Sequence, residues 1–99
     1  MTVTFPSIEQ IKKAGFLPRI AKSDKAAARE CIDFYGAMVW ALAKQSTNSN
    51  ETAEKAVQEI FIDIWENARF CDLTVSDEKN WIAMIAHRRL EKYAAEIIL

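Results

Sequence analysis

Apolar side chains recur at steps of three and four along most of this chain, and nowhere do they alternate with polar ones over the length of a strand. Such a period admits helices and leaves no sheet to build, so the expected fold class is all-α, a small bundle of three to four helices. Only two Gly and two Pro interrupt the chain, which favours long helices, and 99 residues leave room for a single hydrophobic core. A bilayer crossing needs about 20 apolar residues in a row, a length that no run approaches. The opening MTVTFPSIEQ lacks the charged-then-apolar order of a secretion signal. A cytoplasmic protein with no membrane partner is the expectation. Cys31 and Cys71 have no second Cys or His at ligand spacing, so both are read as packed, reduced thiols, and neither metal nor cofactor is expected. His87 is the only histidine, and no Gly-rich phosphate loop is present, which leaves catalysis without candidate residues.

The chain divides into an N-terminal segment, residues 1–25, and a helical domain, residues 26–99. In the first, a short helix is expected after Pro6, capped by Ser7, carrying Ile8, Ile11 and Lys12, and stopped by Gly15. The second helix runs from the N-cap Asp24 to about Gln45, with Ala28, Ile32, Tyr35, Val39, Leu42 and Ala43 as its apolar stripe. Gly36 inside it is read as allowing close helix contact. Ser46 to Asn50 is polar and rich in capping residues, and it leads into a third helix from about Glu51 to Arg69. Phe70 to Ser76 breaks the pattern, and a fourth helix starts after Ser76 or Asp77. The chain stops at Leu99 with no Gly, Pro or polar cap, which reads as a piece of a longer protein.

The net charge of −1 conceals an uneven distribution. Residues 51–80 carry three basic and eight acidic side chains, against seven and four in residues 1–50 and three and two in residues 81–99. An acidic middle is a poor surface for free duplex DNA and a good one for a basic protein partner. On the third helix Ala53, Val57, Ile60, Phe61, Ile64 and Ala68 share one side, with Trp65 at its margin. The opposite arc holds Lys55, Glu59, Asp63 and Glu66, with Gln58 at its edge and Ile62 in its midst. An apolar residue set among polar ones is either a lone exposed Ile or the anchor of a contact patch. On the fourth helix Ile82, Ile85, Ala86, Tyr93 and Ile97 form the core side. Trp81, Arg88 and Lys92 fall within about 40° of one another beside it, by helical geometry. Aromatic and basic groups together can stack on unpaired bases and pair with phosphates; the plain alternative packs Trp81 near the helix start and leaves Arg88 and Lys92 solvated.

The stretch Thr52-Ala-Glu-Lys-Ala-Val-Gln-Glu-Ile-Phe-Ile-Asp-Ile-Trp65 resembles the polymerase-binding helix of bacterial sigma factors of the extracytoplasmic-function type, whose pattern is roughly D-A-E-D-L-V-Q-E-V-F-L-x-V-W. Trp81-Ile-Ala-Met-Ile-Ala86 is similar to the W-L-x-x-I-A opening of the next helix of that family, and Phe34-Tyr-Gly-Ala-Met-Val-Trp-Ala-Leu-Ala43 to the helix before both. The resemblance, to sigma region 2, spans residues 26–93. It implies a role in transcription initiation, with the third helix docked on the β′ coiled coil of core RNA polymerase through Glu54, Gln58, Glu59 and Ile62. It further implies that the loop from Phe70 to Asp77, with Trp81, Arg88 and Lys92, meets the single-stranded non-template strand of promoter DNA near the minus-ten element. An anti-sigma factor is a further partner that it allows.

The chain departs from the family pattern at Lys55, where a second acid is usual, and at Arg88 and Lys92, where Asn and Asp are usual. Ala94 and Ala95 stand where a basic tail is usual. The absent tail supports a second reading, a sigma-like protein-interaction module without promoter-melting activity.

Overall fold

The computed structural model describes residues 15–75 and 77–98. The helix expected between Ser7 and Gly15 lies outside the described residues. A different short helix, α1 (Phe16–Ala21), follows Gly15, and it leads into α2 (Lys25–Ser46), α3 (Asn50–Asn67), a 3-10 turn (Ala68–Phe70) and α4 (Glu78–Ile98). The described residues contain no strand.

Local chemistry accounts for the boundaries. Ser23, at φ 66°, closes α1 in the left-handed conformation, with the Ser23 N–H donating to the Ile20 carbonyl and the Asp24 N–H to that of Arg19. Asp24 then caps α2 by accepting from the N–H groups of Ala26 at 3.0 Å and Ala27 at 3.3 Å. The Ala27 bond and the Arg19 guanidinium hold its carboxyl below the usual carboxylate range. Arg19 also reaches Glu30 at 2.6 Å, which ties α1 to the start of α2. Ser49 caps α3 through the Thr52 N–H at 3.1 Å, and Asp77 caps α4 through the Asn80 N–H at 2.7 Å.

The core lies where α2, α3 and α4 meet, with α1 packed on α2, α3 and the 3-10 turn. Its largest fully enclosed side chains are Leu17, Ile60, Ile64, Ile82 and Ile85. Leu17 belongs to the same cluster, so residue 25 does not separate two cores. Five of the six α3 residues expected in the core, Ala53, Ile60, Phe61, Ile64 and Ala68, are buried, and Trp65 packs at the margin as expected; Val57 is only partly buried, and Ala56 is fully buried beside it. The buried stripe of α2 is Ala27, Cys31, Tyr35, Val39 and Ala43, whereas Ile32 is 44% exposed. Both stripes obey the helical period, and the packing of α2 against α1, α3 and α4 turns the first one inwards. Gly36 has nothing within 4 Å of the place its Cβ would occupy, so the close contact expected there does not occur.

Candidate protein and nucleic-acid interfaces

Arg89 on α4 lies 3.3 Å from Asp63 on α3, while Tyr93, four residues later, donates to Glu59, four residues earlier, at 2.8 Å. The opposed order shows that α3 and α4 run antiparallel. Arg89 Nε also approaches Glu59 at 3.8 Å, an ion-pair rather than a hydrogen-bond geometry. The Arg89 position falls one turn after Ile85 and one before Tyr93 on the core side of α4. A charge there needs a partner from the facing helix, and that spacing was the readable sign of it.

These contacts divide the four α3 residues expected to bind polymerase. Glu54 and Gln58 are exposed and Ile62 is 50% exposed, one turn apart along the outward ridge of the helix. Glu59 is half-buried and turned towards α4, where its carboxylate is already engaged. An apolar side chain thus stands on an acidic and polar ridge, away from the core.

The residues expected to meet DNA are likewise divided. Phe70 ends the 3-10 turn 66% exposed, with the Arg69 guanidinium 5.0 Å from its ring centre. After it, Asp72 holds a tight turn by accepting from the Thr74 N–H at 2.9 Å and hydroxyl at 2.6 Å, and this lowers its carboxyl pKa. That turn leaves Val75 81% exposed. Arg88 and Lys92 are exposed on α4, and Met84, one turn before Arg88, is 50% exposed.

Of the two readings of Trp81, Arg88 and Lys92, the packed one holds and the exposed stacking stripe does not: Trp81 is only 8% exposed and belongs to the core with Ile82 and Ile85, while Arg88 and Lys92 are solvated. The first turns of α4 are enclosed by other elements over a wider arc than its later ones, and that arc takes in position 81. A base cannot stack on its indole while the core is intact. Among the described residues no group of His, Cys, Asp and Glu is arranged to hold a metal ion, and no helix is long and apolar enough to cross a membrane.

A family model described as sigma-70 region 2 matches residues 31–95. The chain belongs to the sigma-70 region 2 family. Its relatives include the "ECF RNA polymerase sigma factor SigK" of Mycobacterium tuberculosis (strain ATCC 25618 / H37Rv), 32% identical over 73 residues, which are 74% of this chain and 39% of that protein. The protein of the same description in Mycobacterium bovis (strain BCG / Pasteur 1173P2) gives the same figures. That of Mycolicibacterium vanbaalenii is 27% identical over 74% of this chain and 37% of its own length. This region 2 chain therefore spans about two fifths of the length of these relatives. No solved structure matches it. The matched segment takes in most of α2, the whole of α3 and its following loop, and most of α4, so it contains both candidate surfaces.

Proposed function

We propose that this region 2 chain acts in transcription initiation by binding and not by catalysis. The outward ridge of α3 docks on core RNA polymerase, at the β′ coiled coil, and the segment after α3 holds the non-template strand of melted promoter DNA near the minus-ten element. The observation that carries the reading is Ile62, half-exposed between Gln58 and Glu66 on the side of α3 turned away from the core. A small apolar anchor with a polar rim is the composition of a docking site, and the acidic surroundings suit a basic partner. Glu54, Gln58 and Ile62 make the direct contacts, while Glu59 contributes chiefly by fixing α4 against α3. The names of the relatives, sigma factors of RNA polymerase, support the same partner.

The DNA-facing set is Phe70, Arg88 and Lys92, with Trp81 serving the core. An unpaired base stacks on the exposed Phe70 ring, and the two cations meet phosphates. Free duplex binds poorly, because α3 is acidic and repels the backbone. The site of action is the cytoplasm, and an anti-sigma factor covering the α3 ridge is the natural antagonist.

Ile62→Glu tests the polymerase half. It should leave folding nearly intact and abolish co-purification with core polymerase; equal recovery of polymerase by variant and wild type would refute the assignment. The buried Trp81 favours the second reading, an interaction module without melting activity, because it removes one stacking group. Anisotropy of a labelled non-template strand with polymerase-bound protein separates the two. Phe70→Ala and an Arg88→Ala, Lys92→Ala double variant should lose strand binding, the latter with a salt slope smaller by about 0.7 per lost phosphate contact. Unaltered strand binding in both would leave only the interaction module.

A further inference from the structure

Glu78, the first residue of α4, joins three distant parts of the chain. Its Oε1 accepts from the Tyr35 hydroxyl at 3.0 Å, and its Oε2 from the Leu17 N–H at 2.9 Å. The Leu17 N–H belongs to the first turn of α1, where backbone donors have no partner within the helix. Gly15, at the N-cap of α1, has no side chain with which to satisfy it, so the cap is supplied from 61 residues further along the chain. Aromatic packing holds the same junction: the Phe16 ring lies 6.0 Å from that of Tyr35 and 5.6 Å from that of Phe34.

The arrangement bears on the segment between α3 and α4. At one end of that segment the 3-10 turn carrying Phe70 rests on α1. At the other, Glu78 is bonded to the backbone of α1. A helix of six residues, Phe16–Ala21, thus grips both ends of the segment, and Leu17 anchors that helix in the core with 0% exposure. Burial first and the Glu78 charge second push the Cys31 thiol up to about 12 and the Cys71 thiol up to about 11.

We propose that Glu78 is a positioning residue for strand recognition: by clasping α1 and Tyr35 it sets the 68–75 segment, so the hold on DNA depends on residues 15–21, which themselves need not touch it. The inference rests on the reading of that segment as the strand-binding surface. Its test uses core polymerase loaded with the full chain and a labelled non-template strand, with Glu78→Ala, Glu78→Gln, Tyr35→Phe and Phe70→Ala compared well below their melting temperatures. Ser49→Ala, which removes a helix cap on α3, is the control for general loss of stability.

Polymerase affinity should remain within about twofold of wild type in all five, since none lies on the α3 ridge. Strand affinity should fall about tenfold in Glu78→Ala, the scale of a charge-assisted hydrogen bond, less in Glu78→Gln, which keeps one acceptor oxygen, and not at all in Ser49→Ala. Amide exchange across residues 71–75 should quicken in Glu78→Ala and not in Ser49→Ala. Strand binding lost in Phe70→Ala but kept in Glu78→Ala would overturn the clasp and leave the strand reading standing. Binding kept in both would overturn the strand reading, and the clasp's role with it.

Discussion

Phe61 and Ile62 are neighbours in sequence, yet one side chain of α3 is buried and the next exposed, so replacing each by Ala tests how that helix is turned. The Phe61 ring is 5% exposed, flanked by the fully enclosed Ile60 and Ile64, and lies 5.4 Å from the Trp65 ring at 44°. Burial of such a ring contributes about 1.5–3 kcal/mol, and its removal leaves a cavity that rigid neighbours cannot close. The two terms together put Phe61→Ala at about 3–5 kcal/mol. A domain of this size has about 5–15 kcal/mol in all, so the variant loses a large share of it. Ile62, at 50% exposure, leaves no such cavity, and Ile62→Ala should stay within about 0.5 kcal/mol of wild type. Urea unfolding followed by circular dichroism at 222 nm, the α-helix band, reads both. The Phe61→Ala midpoint should fall by about 2–3 M, with the slope unchanged. Equal midpoints would refute the difference in burial between the two sites, and a lower midpoint for Ile62→Ala would mean that the buried and exposed faces of α3 have been exchanged.

Three further outcomes follow from particular contacts. Gly36→Ala should stabilise by about 0.5–1 kcal/mol, because the added methyl meets nothing within 4 Å and a helix-interior glycine loses more entropy on folding than alanine; a lowered melting temperature would contradict it. Tyr93→Phe removes the 2.8 Å bond to Glu59 and should cost about 1–2 kcal/mol in thermal unfolding, while a double-mutant cycle with Glu59→Gln should show the two losses to be non-additive. Above about pH 9 stability should decline: the Cys31 thiol is raised from 9.0 to about 12 in the fold and Tyr35 is raised as well, so the unfolded chain releases these protons first. The contribution is intact below the unfolded values and lost as pH rises towards the folded ones. Urea midpoints measured between about pH 8 and about pH 10.5 should show the decline, and Cys31→Ala should lessen it, leaving the share of Tyr35 and Cys71.

Helix starts and the core side of α3 were legible in the sequence because both are local. Asp24 and Asp77 cap helices with their own side chains against N–H groups two or three residues on, an arrangement that needs no knowledge of the rest of the molecule. The stripe Ile60, Phe61 and Ile64 has polar residues on its far side, and only one orientation buries it. Family membership was legible for the same reason, since its motifs lie on these two well-marked helices. On α2 the period allows either Cys31 or Ile32 inwards, and the choice falls to its packing against α1, α3 and α4.

Long-range polar contacts were hidden. Glu59 reads as an exposed acid on a helical wheel, yet Tyr93 and Arg89 draw it to α4 across 30 or more residues of chain. Glu78 reads as an ordinary acid in a helix's first turn, where it favours the dipole, and nothing near it in sequence names Leu17 or Tyr35 as its donors. Trp81 shows the same division. Its spacing with Arg88 and Lys92 is a property of one helix, but its burial depends on how widely neighbouring elements cover the start of α4. Periodicity and capping are settled by residues within a turn of one another, so the sequence alone determines the three long helices and which family the chain joins, but not α1, whose cap comes from Glu78. The rotation of α2, the enclosure of Trp81 and the clasp at Glu78 each depend on a partner brought from elsewhere in the chain, and tertiary packing alone decides them.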